Sequence, residues 1–145
     1  MTQSMTPQIT RAVHQWLALV IGAVYLLVGV LGFLVTGFDG FAEHDHDQTL
    51  LGFAVNPLHN IVHLLIGLAG LALWSGAGRA RAFGWLLAAG YGAAFAYGLF
   101  AVGNPEINFL NINAADNVLH VLSAGAGLAI ALWPQRQAEP GYAAS

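Results

Sequence analysis

The chain contains no cysteine and no lysine. The first absence excludes disulfides, thiol catalysis and thiolate-held metal. The second leaves four arginines and a formal net charge of −3, with no basic cluster to hold nucleic acid or acidic lipid headgroups. Charge of either sign is scarce: 8% of residues, against about a quarter in an ordinary soluble domain. A surface so poor in charge cannot face water all round. No catalytic set is visible either. There is no nucleophile elbow and no phosphate-binding loop, and no acid pair of the kind proton-driven transporters carry stands inside an apolar run.

Apolar sequence is what the chain has in quantity, at 57% of residues. Four runs, approximately 14–35, 57–75, 83–102 and 116–133, approach the roughly 20 helical residues that cross a hydrocarbon core of about 30 Å. Packed as a soluble domain, four helices apolar on all sides would have almost nothing polar to coat them. The expectation is an all-α, integral membrane four-helix bundle, a single domain over 1–145 with polar tails at 1–10 and 134–145. The first run is too long for a signal-peptide core and is followed by no clear small-x-small cleavage site, so it reads as an uncleaved first helix.

Charge placement orients the bundle. Arg11, Arg79, Arg81 and Arg136 fall before the first run, between the second and third, and after the fourth. Asp39, Glu43, Asp45, Asp47, Glu106 and Asp116 lie in or beside the other two connections. The positive-inside rule places both termini and the 75–82 connection in the cytoplasm, with the chain multi-pass in the membrane. The 75–82 connection, S-G-A-G-R-A-R-A, reads as a tight Gly-rich hairpin. His14 reads as interfacial. In the first outer connection, Glu43 to Asp47 spell E-H-D-H-D, a solvated acidic loop whose His44 and His46 could also capture metal. The apolar T-L-L-G-F-A-V that follows is too short to span and is expected along the membrane surface. Small residues at four-residue spacing, such as Ala18 and Gly22 or Ser123, Gly127 and Ala131, mark ordinary close helix packing.

One motif occurs twice, fifty-seven positions apart. Residues 56–63 read N-P-L-H-N-I-V-H and residues 113–120 read N-A-A-D-N-V-L-H. Each copy opens an apolar run, so polar groups are carried twice into greasy helices at equivalent places, a cost that partners must offset. Asn56 and Asn113 suit helix N-caps, Pro57 suits the first turn, and Asp116 suits a capping box. The first and third runs share only a Y-x6-G spacing, Tyr25 to Gly32 and Tyr91 to Gly98. The pattern fits two tandem two-helix repeats, with the second and fourth helices facing each other across the repeat axis.

Three readings of the motif follow. The favoured one is a structural polar seam between the second and fourth helices, built from Asn56, Asn60, Asn113 and Asn117 with the histidines. In the second, His59, His63, Asp116 and His120 hold a divalent metal, zinc or copper. In the third, His63 and His120 are axial ligands of a haem b, with Gly67, Gly70 and Gly125 making room for the macrocycle. Haem propionates usually want a cation, and the outer connections hold no Lys or Arg.

Residues 11–134 resemble a bacterial membrane family known as domain of unknown function 4383. The resemblance rests on G-x-x-x-L-x-x-G-x-x-G-F (Gly22, Leu26, Gly29, Gly32, Phe33), on N-P-L-H-N-I-V-H-L-L-I-G at 56–67 and on N-x-x-D-N-x-L-H at 113–120. It implies a four-helix membrane protein and brings no established activity. The functional expectation is a non-enzymatic structural or accessory subunit, embedded in lipid and either self-associating or part of a larger membrane complex, with no cofactor. The alternative is a metal- or haem-binding redox or sensor protein, and a small transporter comes third.

Overall fold

A computed structural model describes residues 11–134. The tails expected at 1–10 and 134–145 lie outside the described residues except for Pro134, as does Arg136. In chain order the elements are α1 (Val13–Thr36), β1 (Thr49–Leu50), β2 (Phe53–Ala54), α2 (Pro57–Leu73), α3 (Ala77–Ala101) and α4 (Ala114–Ala131). The chain is an all-α, four-helix bundle with one short hairpin in its longest connection. Among the described residues α1, α3 and α4 are long and apolar enough to cross a membrane, while α2, at 17 residues, is shorter. Seventeen residues rise about 26 Å, at the lower limit for a span.

Large apolar side chains point outward and small ones inward. Leu34, Phe100, Leu122 and Leu65 are exposed, whereas Ala18, Gly22, Gly29, Gly67, Gly70, Gly84 and Gly127 are buried. This inversion of a soluble core is what lipid favours, because bilayer tails solvate leucine as well as protein does and helices gain by close backbone approach. The tightest approaches fall within two antiparallel pairs, α1 with α2 and α3 with α4. Gly22 lies on Gly70 in the first pair, and Ala88 lies on Gly127 in the second.

Between the pairs, α1 and α3 meet through stacked Tyr25 and Tyr91, whose ring centroids are 4.9 Å apart. The backbones of α2 and α4 do not come within 8 Å of each other. This corrects the expected face-to-face arrangement: α2 and α4 occupy the long diagonal of the bundle, and α1 and α3 the short one. Glycines at the contacts allow each hairpin to close tightly, and the two tyrosines then fill the middle.

At the turn end of the bundle the α2–α3 connection is shorter than 75–82. Helix α3 already starts at Ala77, so Arg79 and Arg81 lie on its first turns. Arg79 donates to Ser75 Oγ, Arg81 to the Trp133 carbonyl, and the Arg11 guanidinium sits 4.3 Å above the Trp74 ring. His14, expected at the interface, is buried instead, with its Nε2 3.3 Å from the Ala77 carbonyl. It fastens the start of α1 to this turn.

The opposite, loop end carries the two longer connections. The T-L-L-G-F-A-V segment folds as an antiparallel hairpin, Thr49 pairing with Ala54 and Leu50 with Phe53, rather than as one surface-lying stretch. Its two loop residues, Leu51 and Gly52, both have positive φ (54° and 90°), the twist a two-residue hairpin requires.

Candidate functional site

The repeated motif sits at the loop end. Asn56 caps α2, accepting from the His59 backbone N–H at 2.9 Å, and Asn113 caps α4, accepting from Asp116 N–H at 3.0 Å. Capping leaves each amide nitrogen free, and each reaches across to the other helix pair's connection. Asn56 Nδ2 donates to the Phe109 carbonyl at 2.8 Å and to Glu43 O at 3.0 Å. Asn113 Nδ2 donates to the Gly52 carbonyl at 2.9 Å. Asp116 completes the exchange: its Oδ2 accepts from Ala54 N–H at 3.0 Å and from Asn113 N–H at 2.9 Å. The carboxylate is 1% exposed and faces the hairpin connection, not the histidines.

Two residues that sequence reasoning passed over tighten the same lattice. Asn111 is fully buried and adopts a positive φ of 54°. Its Nδ2 donates to the carbonyls of Asp45 (2.6 Å) and Val55 (2.9 Å), and its Oδ1 accepts from Asp45 N–H at 3.0 Å. Asn108, also fully buried, closes a turn with both backbone groups of Ile112. The signal was the density of asparagine at 104, 108, 111 and 113, since Asn tolerates left-handed backbone and bonds to nearby main chain. The E-H-D-H-D segment is therefore pinned by its middle residue, with the His44 and His46 rings 4.2 Å apart.

Asn60 and Asn117 sit elsewhere than expected. Neither lies between α2 and α4. Asn60 packs on Gly32 of α1 and donates to Thr36 Oγ1 at 3.0 Å; Asn117 packs on Gly98 of α3. A Cβ at either glycine would overlap the amide beneath it. Each asparagine is thus a contact inside its own helix pair, and the Oδ1 of each is buried without a partner.

One turn deeper the three motif histidines come together. His59 lies 4.4 Å from His63 and 6.1 Å from His120, ring centroid to ring centroid, and all three are 3% exposed. Tyr25 stacks obliquely on His63 at 5.2 Å, and Tyr91 on His120 at 5.4 Å. The result is a buried aromatic chain, His63–Tyr25–Tyr91–His120, running from α2 through α1 and α3 to α4. The Tyr25 hydroxyl and Ser123 Oγ are 2.5 Å apart. The Nδ1 atoms of all three histidines and the Tyr91 hydroxyl have no hydrogen-bond partner.

Two cavities flank this chain. One, of about 80 Å³, is lined by His59, His63, His120 and Tyr91 between α2 and α3. The other, of about 420 Å³, lies between α1 and α4 beneath the β hairpin, with His63, Tyr25 and Ser123 as its polar groups.

A family model described as "Domain of unknown function (DUF4383)" matches residues 15–133, from the first turn of α1 past the end of α4. The chain belongs to that family. No curated protein and no solved structure matches it.

The expected ligand sets can be held against this geometry. Among the described residues no three His, Asp or Glu side chains form a metal-holding group. Three imidazoles are close, but Asp116 is turned away to the loops. For haem, the space that His63 and His120 share is far smaller than a macrocycle, and the stacked tyrosines occupy the centre of the bundle. The residues present do not fit a bis-histidine haem.

Proposed function

We propose that this protein is a non-enzymatic accessory subunit of a membrane assembly, in which the Asn/Asp half of the motif is a structural lock. The observation that carries this reading is the reciprocal bonding at the loop end. Each helix pair's capping asparagine bonds to the other pair's connection, and Asp116 and Asn111 add buried bonds to Ala54 N–H and the Val55 carbonyl, so neither connection can move without breaking buried hydrogen bonds. A buried polar group left unpaired costs roughly 1–3 kcal/mol, so the lattice holds the loop end in one shape. A fixed face presenting exposed Phe38, Phe41, Ile107 and Phe109 suits a protein that is recognised rather than one that turns over substrate.

The same reading includes orientation and descent. Among the described residues Arg11, Arg79 and Arg81 gather at the turn end and the acidic residues at the loop end, which supports cytoplasmic termini; the family resemblance adds a bacterial plasma membrane. The shared glycine–asparagine contacts support a duplicated two-helix unit.

The test is the size of the particle in mild detergent or nanodiscs, measured by mass photometry on the full chain. A defined oligomer, or a complex with a stoichiometric partner, is expected. A monomer at all concentrations, copurifying with nothing, would sink the proposal. The competing reading is a metal-binding redox or sensor protein using His59, His63 and His120, whose rings lie close together but do not form a metal-holding group as they stand. Elemental analysis and an absorption spectrum of the same sample decide it. One metal per chain, lost in His59→Ala, would displace the accessory reading.

A further inference from the structure

We propose that the cavity between α1 and α4 is a binding site for a lipid-borne quinone, entered sideways from the bilayer. Its rim is formed by Val20, Val24 and Leu122, side chains more than half exposed on the lipid-facing surface of the bundle. A ligand arriving there comes from the hydrocarbon phase. At about 420 Å³ the cavity falls in the size range of small-molecule sites, roughly 300–1,000 Å³.

The polar groups select the head of the ligand. Tyr25, His63 and Ser123 are each more than nine-tenths buried and all line the cavity. The two hydroxyls share one hydrogen bond, so whichever donates, one O–H remains without an acceptor. His63 contributes ring surface to the wall, its Nδ1 being shielded from the cavity. The complement of a wall with one spare O–H is a molecule bearing a carbonyl acceptor. Tyr25 and His63, tilted on each other at 5.2 Å, offer aromatic surface against which a flat conjugated ring packs. Among the described residues no arginine lines the cavity, and the chain has no lysine, so a phosphate or carboxylate head would be buried without a counter-charge. A neutral dicarbonyl ring on an apolar tail meets all of these conditions; a phospholipid or a fatty acid does not.

The site is built once. On the α2–α3 side Ile66 stands in the motif position that Ser123 holds on α4, and the cavity there is about 80 Å³. The hairpin covers the larger cavity with Leu50, Leu51 and Phe53.

The experiment is a titration of the full chain in nanodiscs with a short-chain alkyl benzoquinone, read by equilibrium dialysis, with oleate as competitor. Saturation at one quinone per chain is expected, undisturbed by oleate. Ala126→Trp, which fills the cavity from α4, should weaken binding at least tenfold, and Val20→Trp does the same from α1 if the first variant fails to fold. Ser123→Ala and Tyr25→Phe, which remove single hydroxyls, should each weaken it three- to tenfold. Non-saturable uptake, displacement by oleate, or wild-type affinity in folded Ala126→Trp or Val20→Trp would overturn the proposal. Particle size in the same samples tests the accessory role separately, so either idea can fail alone.

Discussion

The two helix pairs use the same contacts for different ends. In each, a glycine of the first helix lies on the motif asparagine of the second, Gly32 on Asn60 and Gly98 on Asn117. In each, a tyrosine of the first helix stacks on the motif histidine of the second, Tyr25 on His63 and Tyr91 on His120. The differences lie in the partners: His59 joins the histidine cluster, whereas Asp116, at the equivalent place, bonds to the connections. Thr36 gives Asn60 a hydroxyl to bond, while Val102, at the matching place after Gly98, gives Asn117 none. Ser123 gives Tyr25 a partner, while Ile66 leaves the Tyr91 hydroxyl unpaired. Only the first connection carries a hairpin. A common backbone contact scheme therefore tolerates divergence wherever a side chain faces a cavity or a loop, and it is there, on the α1–α4 side, that a single polar residue, Ser123, distinguishes one cavity from the other.

The comparison breaks first, and by the largest margin, at the glycines. Gly32→Ala should cost about 3 kcal/mol, despite alanine's better helix propensity, because Asn60 is fully buried and tied to Thr36. Gly98→Ala should cost about 1 kcal/mol, since half-buried Asn117 can swing aside. Thermal unfolding in detergent measures both, and equal losses would mean that the Thr36 bond adds nothing. The caps come next. Asn56→Ala removes a cap and two buried donors and should cost about 2 kcal/mol; Asn113→Ala, half-exposed with one cross-connection bond, about 1 kcal/mol. A larger loss from Asn113→Ala would refute the ranking. The tyrosines give the smallest effect. Tyr25→Phe should cost about 1 kcal/mol, and Tyr91→Phe nothing or a slight gain, because its hydroxyl is buried without a partner. A destabilised Tyr91→Phe would show that this hydroxyl is bonded after all.

Much of the fold could be read along the chain. Apolar runs flanked by Asn-Pro and by N-A-A-D mark the starts of α2 and α4, because capping is a local matter settled within four residues. The capping role of Asp116 was legible for the same reason. The start of α3 was misjudged: glycines and arginines in S-G-A-G-R-A-R-A suggest a loop, yet arginine is a good helix former and the helix begins immediately after Gly76. The hairpin at Thr49–Ala54 was hidden because Leu51 is a poor residue for positive φ, and its conformation is imposed by the connections around it.

The sequence by itself determined the number of helices, their membrane-like composition and the equivalence of the two motif copies, since hydropathy and capping act over neighbouring residues. Only the tertiary structure decided which helices meet. Periodicity assigns a polar group to a helix face but not to a neighbour, and the neighbour depends on where glycines let backbones close together. That choice sent Asn60 and Asn117 into their own pairs and Asp116 to the loops. It left His63, Tyr25 and Ser123, drawn from three helices, around one cavity.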